Sequence, residues 1–167
     1  MKTAVVYYTY DGSTRVAAEV LARHLGADVF ELEEVKKRGK SALSFMAAGF
    51  GALAGKRSRI KNDFAAEMKN YDCLNIGSPV WANKTAPAVN TFLDSLDAAG
   101  KKIVLFTLQA DPNVQSAPDK CLLAHKQALE KRGARVLRLL RLHGASPGKT
   151  AESGHIEAQL AAQAIEQ

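Results

Sequence analysis

A hydroxyl-rich turn near the start of the chain has the clearest potential for chemistry. It runs Thr9-Tyr10-Asp11-Gly12-Ser13-Thr14-Arg15, between an apolar stretch and a segment of helical period. Unpaired amides and the aligned peptide dipoles at a helix N-terminus favour an anion, and glycine lets the backbone approach it closely. Hydroxyls of Thr9, Ser13 and Thr14 add hydrogen bonds of roughly 1.5–3 kcal/mol each to a charged phosphate. The turn predicts a phosphate cradle, although such hydroxyls are also typical of plain helix caps.

The elements that would position this turn alternate between short apolar runs and helix-period segments, which predicts an α/β fold with a parallel sheet. Five strands are expected, at residues 3–8, 29–33, 72–77, 103–108 and 135–142. Residues 36–68 give no firm assignment. Arg135, Arg138 and Arg141 are spaced by three, which suits a helix face better than a strand. Flanking glycines and the βα rhythm nevertheless favour a strand there.

In an open parallel sheet, ligands bind at the carboxyl ends of the strands near the point where strand order reverses. The loops after the first, third and fourth strands are therefore the expected site. The first loop resembles the S/T-x-T-G-x-T turn of the flavodoxin-like family. The second resembles that family's G-S/T-P-V/I-aromatic loop and the helix after it, in Gly77-Ser78-Pro79-Val80-Trp81-Ala82-Asn83, Ala86-Pro87-Ala88-Val89 and Phe92-Leu93.

This resemblance implies a flavodoxin-like three-layer sandwich with a five-stranded parallel sheet of order 2-1-3-4-5, formed by one domain over residues 1–167. It also implies non-covalent FMN, with the phosphate in the turn at residues 9–14. The isoalloxazine ring would lie beside Pro79, Val80, Trp81, Ala82 and Asn83, where an aromatic contact is worth ~0.5–1.5 kcal/mol beyond burial. A buried core position is the alternative interpretation of Trp81.

The chain departs from the family pattern at two places. Asp11 stands where Thr or Ser is usual, and a carboxylate beside a phosphate is unfavourable unless it points away or pairs, for instance with Arg15. The third loop, residues 107–113, replaces a small or aromatic turn with Thr-Leu-Gln-Ala-Asp-Pro-Asn. Gln109 and Asn113 are expected to hydrogen-bond the polar rim of the ring. One flavin face would then stay open, which suits direct transfer to a substrate.

Other motifs are weaker. Residues 144–150, Gly-Ala-Ser-Pro-Gly-Lys-Thr, end like a P-loop, but three residues separate the glycines where that motif needs four. No later strand could supply a magnesium-binding acid, which argues against a nucleotide triphosphatase. The G-x-G-x-x-A match at residues 49–54 follows no strand. His125 lies four residues after Cys121, and two ligands are too few for a metal, so no metal site is expected.

Composition and charge narrow the class of protein. Apolar residues make up 47% and charged residues 24% of the 167 residues, which excludes disorder and coiled coil. The net charge of +6 favours anionic partners. The basic clusters lack the interleaved aromatics that stack on bases, which argues against nucleic acid. The apolar run at residues 42–54 is too short to span a bilayer, and a helix packed on the sheet is preferred to one on a membrane surface.

The sequence thus predicts an FMN-binding electron-transfer protein in which no residue acts as acid, base or nucleophile. Two alternatives remain open: an FMN-dependent reductase or oxidase of a quinone or porphyrinogen-type substrate, and a flavin-less binding module of the same fold. The expected partner is an acidic redox protein or an anionic small molecule, and the oligomeric state is left open. Two cysteines without a C-x-x-C spacing predict a reducing cytoplasm.

Overall fold

The computed structural model describes residues 1–36, 57–81, 83–110, 116–146 and 148–163. Its strands are β1 (Thr3–Tyr7), β2 (Asp28–Glu31), β3 (Cys73–Trp81), β4 (Lys84–Thr85), β5 (Lys102–Gln109) and β6 (Arg135–His143). Five of them are parallel, in the order β2-β1-β3-β5-β6, and the two-residue β4 pairs antiparallel with the end of β3. With β4 set aside, this is the predicted order 2-1-3-4-5, which is confirmed.

The helices are α1 (Ser13–Leu25), α2 (Pro87–Ser95), α3 (Ser116–Lys131) and α4 (Ser153–Ala162), with a 3-10 turn at Glu67–Asn70. Pro87 is the first residue of α2, where its missing N–H leaves no helical bond unmade. None of the described helices has the length and apolar character that crossing a bilayer requires. The predicted apolar helix at 42–54 and the G-x-G-x-x-A match lie outside the described residues.

The sheet is buried on both faces, which gives three layers. On one face α1 and α4 cover a cluster that includes Val5, Leu21 and Phe106. On the other face α2 and α3 cover a cluster that includes Leu74 and Phe92. Burial on both sides explains why the central strands read as continuous apolar runs. The predicted three-layer sandwich is confirmed, while the assignment of all 167 residues to one domain stays a prediction.

Strand β3 is longer than predicted, because it continues beyond Gly77 to Trp81 and folds back on β4. Gly77 is required inside the strand, since a Cβ there would lie 2.1 Å from Cζ of Phe106. Val80 and Trp81 pair with Thr85 and Lys84 respectively. The segment predicted as a loop after the third strand is therefore one arm of a short β-hairpin.

A β-bulge in β6 accounts for the three-residue spacing of Arg135 and Arg138, whereas Arg141, which follows Arg138 in unbroken register, lies on the opposite face. The register shifts between Ile103 and Val104 of β5, so that Val136 and Arg138 face these neighbouring residues and Leu137 is extra. One extra residue reverses the alternation of side chains beyond it. As a result Val136 and Leu139, three residues apart, both pack on the same core cluster. The strand assignment is confirmed.

The outer edge of β6 is covered by Gln159 of α4 and by Gln163, the residue directly after that helix. The amide of Gln159 accepts a hydrogen bond from the backbone N–H of His143 (2.7 Å) and donates one to its carbonyl (3.0 Å). Gln163 makes the same pair of bonds to the backbone of Arg141, at 3.2 and 2.9 Å. The spacing of two residues along the strand edge thus matches the spacing of four residues along the helix axis. The backbone N–H and C=O groups of Arg141 and His143, which could otherwise pair with a strand of another chain, are hydrogen-bonded.

Candidate functional site

The ends of β1, β3 and β5 and the loops that follow them meet in one cleft at the carboxyl edge of the sheet. Its described lining is Tyr10, Asp11, Ser13, Thr14, Pro79, Val80, Trp81, Leu108, Gln109, Ala110 and Ala145. The structure thus brings together residues of all three predicted site segments. Thr9 and Gly12 line a cavity next to it, and Asn83 forms the hairpin turn with a φ of 65°. Ala82 and Asn113 lie outside the described residues.

The turn before α1 has the backbone of an anion cradle. Gly12 adopts a φ of 100°, which few other residues tolerate. Its N–H donates to the Thr9 hydroxyl (3.1 Å), and its carbonyl accepts the first helical bond from Val16 (3.1 Å). Thr14 is 1% exposed and lines the cleft, and its hydroxyl bonds to no other described residue. Such a hydroxyl at a helix N-terminus fits a phosphate oxygen.

Asp11 does not pair with Arg15, so the suggested pairing is wrong. Its Oδ1 instead accepts a hydrogen bond from the Ser13 N–H at 3.2 Å, capping α1. Arg15 is held by both oxygens of Glu31, at 2.8 and 3.0 Å, and Tyr7 donates to the same carboxylate at 2.7 Å. Burial, together with the bond to Glu31, raises the pKa of Tyr7. Arg15 is thus committed to Glu31 in a two-bond pair, a strong geometry for a planar guanidinium.

The Ser13 hydroxyl is engaged by the far end of the chain. It donates to the carbonyl of Lys149 at 3.4 Å and accepts from the N–H of Ala151 at 3.1 Å. Thr150 donates from its hydroxyl to the carbonyl of Asp11 at 2.6 Å. The sequence predicts Ser13 in the cradle but does not predict these contacts, for which the only local signal is the Gly-Lys-Thr sequence at residues 148–150.

Trp81 is packed into the core as well as lining the cleft. It is 8% exposed and meets the rings of Tyr8 and Tyr10 edge to face, with centroids 5.9 and 5.6 Å apart. Each such contact is worth ~0.5–1.5 kcal/mol beyond burial. The structure therefore combines the two interpretations of Trp81, as a core residue and as a wall of the site.

A buried polar network supports the hairpin from the side of α2 and α3. Thr85 donates to Oδ1 of Asn90 (2.8 Å) and lies 2.6 Å from Nε2 of His125. Burial, reinforced by the positive charge of Arg57, lowers the pKa of His125 to about 4. The ring is therefore neutral at pH 7 and offers one N–H to Thr85. Sequence reasoning missed this role, since nothing in the sequence joins His125 to Thr85.

The cleft is small and adjoins a larger cavity. The cleft holds about 60 Å³, whereas the neighbouring cavity, which also includes Arg15 and Glu31, holds about 590 Å³. Tyr10 and Asp11 line both. Gln109 is buried at the third side, and its carbonyl accepts from the N–H of Gly144 (2.9 Å). Among the described residues, no three His, Cys, Asp or Glu side chains come together as a metal site.

A doubly wound sheet of this order, with a hydroxyl-rich turn and a second loop at its switch point, defines a flavodoxin-like α/β protein. A family model described as Flavodoxin matches residues 2–137. The chain belongs to the flavodoxin family, as the sequence predicts. No curated protein matches it.

Solved structures share the fold at low identity. A candidate flavoprotein from Bacteroides uniformis is 21% identical with a TM-score of 0.76, over 96% of this chain and 97% of the other. A Lactobacillus acidophilus flavoprotein in complex with FMN is 22% identical with a TM-score of 0.66, over 84% and 92%. Oxidised Flavodoxin 2 from Bacillus cereus is 18% identical with a TM-score of 0.61, over 98% and 100%.

Proposed function

We propose that this protein binds FMN non-covalently and carries electrons between partners. The observation that carries the proposal is the meeting of the β1, β3 and β5 ends in one cleft, in a member of the flavodoxin family. Thr14 lines this cleft, and its hydroxyl bonds to no other described residue. A neighbour of the same fold was solved with FMN. Bound FMN would supply reversible electron transfer, and the protein would supply binding, burial and local charge.

The described residues divide between the two ends of the cofactor. Thr9, Thr14 and the amides at the start of α1 would hold the phosphate. Pro79 to Trp81 and Gln109 would flank the ring. Because ligand pockets commonly measure ~300–1,000 Å³, the cleft of about 60 Å³ must widen to admit a ring. Tyr10 and Asp11 line both the cleft and the larger cavity, so a change in either side chain would alter the space between them.

Electron transfer is favoured over substrate chemistry by the lining of the cleft. Among its described residues only Tyr10 and Asp11 are ionisable, and Asp11 already accepts a hydrogen bond from Ser13. Among the described residues, Tyr10 is then the one ionisable side chain of the cleft that Asp11's hydrogen bond does not account for, and the rest of the lining offers no acid or base. A carrier needs none, because the cofactor accepts and releases the electrons itself.

A titration with FMN tests the proposal, and Trp81, which is the only tryptophan, reports on it. We expect saturable quenching of both protein and flavin fluorescence, because Trp81 lines the cleft. The loaded protein is then mixed with NADH or NADPH and a quinone, without a partner protein. Absence of turnover supports a carrier. Turnover would favour the reductase alternative, and failure to bind FMN would leave the flavin-less binding module.

We also propose that the redox partner is an acidic protein or an anionic small molecule, because the net charge of +6 attracts such partners. The cytoplasm is proposed as the compartment. Cys73 and Cys121 are both buried and free, which suits a reducing environment.

A further inference from the structure

Residues 148–151 lie directly against the turn that would hold the phosphate. We propose that two of them complete the phosphate site, with Lys149 as its cation and Thr150 as a residue that positions the turn. The proposal rests on FMN binding and deepens it. It gives a ligand-binding role to a segment that resembles a P-loop but lacks the spacing needed to bind a nucleoside triphosphate. Its ligand is the terminal phosphate monoester of the flavin.

Thr150 holds the turn beside its glycine. Its hydroxyl donates to the carbonyl of Asp11 at 2.6 Å, and a Cβ on the next residue, Gly12, would lie 2.9 Å from that hydroxyl oxygen. Gly12 has a φ of 100°. The bond to Thr150 therefore fixes the peptide that joins Asp11 to Gly12, and with it the direction of the amides that follow.

Ser13 ties the same segment to the first residue of α1. Its hydroxyl bonds the backbone on both sides of Thr150, through the carbonyl of Lys149 and the N–H of Ala151. Ala151 is buried. The backbone of Lys149 is thus anchored beside the N-terminus of α1, whereas its side chain is exposed.

A phosphate bound at the turn would need a nearby cation to offset the negative charge already there. The Asp11 carboxylate caps α1, so a phosphate would bind beside an existing negative charge. Arg15 is committed to Glu31 in a two-bond pair. Among the described residues no carboxylate lies within 4.0 Å of the Lys149 ammonium. A lysine on a flexible stem is well suited to meet a phosphate as a point charge.

The second observation that points to an anion is Thr14. Its side chain is 1% exposed, lines the cleft, and has no hydrogen-bond partner among the described residues. A hydroxyl that lines the cleft and makes no bond within the described residues is free to donate to a phosphate oxygen. Thr14 and Lys149 would then approach the phosphate from two sides of the turn.

Comparing FMN with riboflavin isolates the phosphate. We expect Lys149→Gln to weaken FMN about three- to tenfold at low salt, with less effect at 0.5 M salt, because exposed charges are screened. Thr150→Val should weaken FMN about tenfold, and Thr150→Ser should restore it. Riboflavin affinity should change less than twofold in all of them. Ser146→Ala, an exposed residue of the same loop, is the matched control.

Dissociation constants from flavin fluorescence and free energies of unfolding from urea are measured on the same proteins. A loss of FMN affinity with unchanged riboflavin affinity supports the proposal. Equal losses for both ligands, or a Lys149→Gln protein that binds FMN like the wild type at low salt, would overturn it while leaving FMN binding intact. A wild-type protein that binds neither flavin would overturn both this proposal and the proposed function.

Discussion

Ser13 and Thr14 are neighbours at the start of α1, yet their hydroxyls have opposite surroundings. Ser13 bonds to the backbone of residues 149 and 151, whereas Thr14 reaches the cleft without a partner among the described residues. An unmade bond gives the apoprotein no stability, while a made bond contributes about 0.5–1.5 kcal/mol. The two positions therefore separate binding from stability within one turn of helix.

Thr14→Val should weaken FMN at least tenfold, because the phosphate loses one charge-assisted bond. Its free energy of unfolding in urea should stay within about 0.5 kcal/mol of the wild type, since no bond in the apoprotein is lost. Ser13→Ala should instead lower the free energy of unfolding by about 1–3 kcal/mol, because it leaves the N–H of Ala151 unpaired. A large loss of stability in Thr14→Val would contradict the assignment.

His125 should make stability depend on pH. Its pKa is lowered from 6.5 to about 4 by burial, with Arg57 and Lys84 adding to the shift and Asp94 opposing it. The unfolded chain therefore takes up this proton first as the pH falls. The contribution of neutral His125 to the free energy of unfolding is fully present above about pH 6.5. It is lost as the pH falls towards 4, which lowers that free energy by at most about 3 kcal/mol.

Urea unfolding between pH 7 and 4.5 measures this effect against two variants. His125→Gln should flatten the decline, since glutamine does not titrate. His155→Gln, at an exposed position of α4, should keep the decline of the wild type. Identical slopes in the wild type and His125→Gln would show that other groups cause it.

Among the elements, β6 shows how a side-chain amide replaces a missing strand. Gln159→Glu keeps the acceptor for the His143 N–H but loses the donor to its carbonyl, and it sets a carboxylate beside that carbonyl. We expect a loss of about 1–3 kcal/mol in the free energy of unfolding at pH 7. Gln127→Glu, on the exposed side of α3, is the matched control. Equal effects of the two changes would argue against this role for Gln159.

The strand pattern was predictable because helices cover both faces of the sheet, and strands buried on both faces consist of continuous apolar residues. The end of β3 was not, because Gly77 and Pro79 both signal that a strand stops. Parallel pairing with β5 carries the strand to Pro79, and antiparallel pairing with Lys84 and Thr85 carries it on to Trp81. The bulge at Leu137 was likewise hidden, since it follows from the register against β5 and not from the local sequence.

The site was predictable where its residues are close in sequence. The turn at residues 9–14 and the segment at 77–83 each carry their own signal of hydroxyl, glycine or proline. The contacts of Ser13 with Lys149, of Thr85 with His125 and of Arg15 with Glu31 join residues 16 to 136 positions apart. Each needs the folded sheet to bring its partners together, so spacing alone does not reveal them.

At the scale of the whole molecule, the charge of +6 should govern encounters with redox partners. It stays positive after a phosphate dianion binds. With the reduced FMN-loaded protein, oxidation by ferricyanide should slow as salt rises from 0.01 to 0.5 M, because screening shortens the reach of attraction. Oxidation by a cationic cobalt or ruthenium ammine should accelerate. Stopped-flow mixing measures the oxidation rate with each oxidant. Rates that do not change with salt concentration for either oxidant would contradict an electrostatic docking surface.

The bonds from residues 11–13 to residues 149–151 close loops of 136 to 139 residues. Contacts this distant in sequence form late in folding, after the local βα units. We therefore expect the turn before α1 to reach its final geometry only when residues 149–151 dock on it. FMN should then bind tightly only to chains in which the last βα unit has folded.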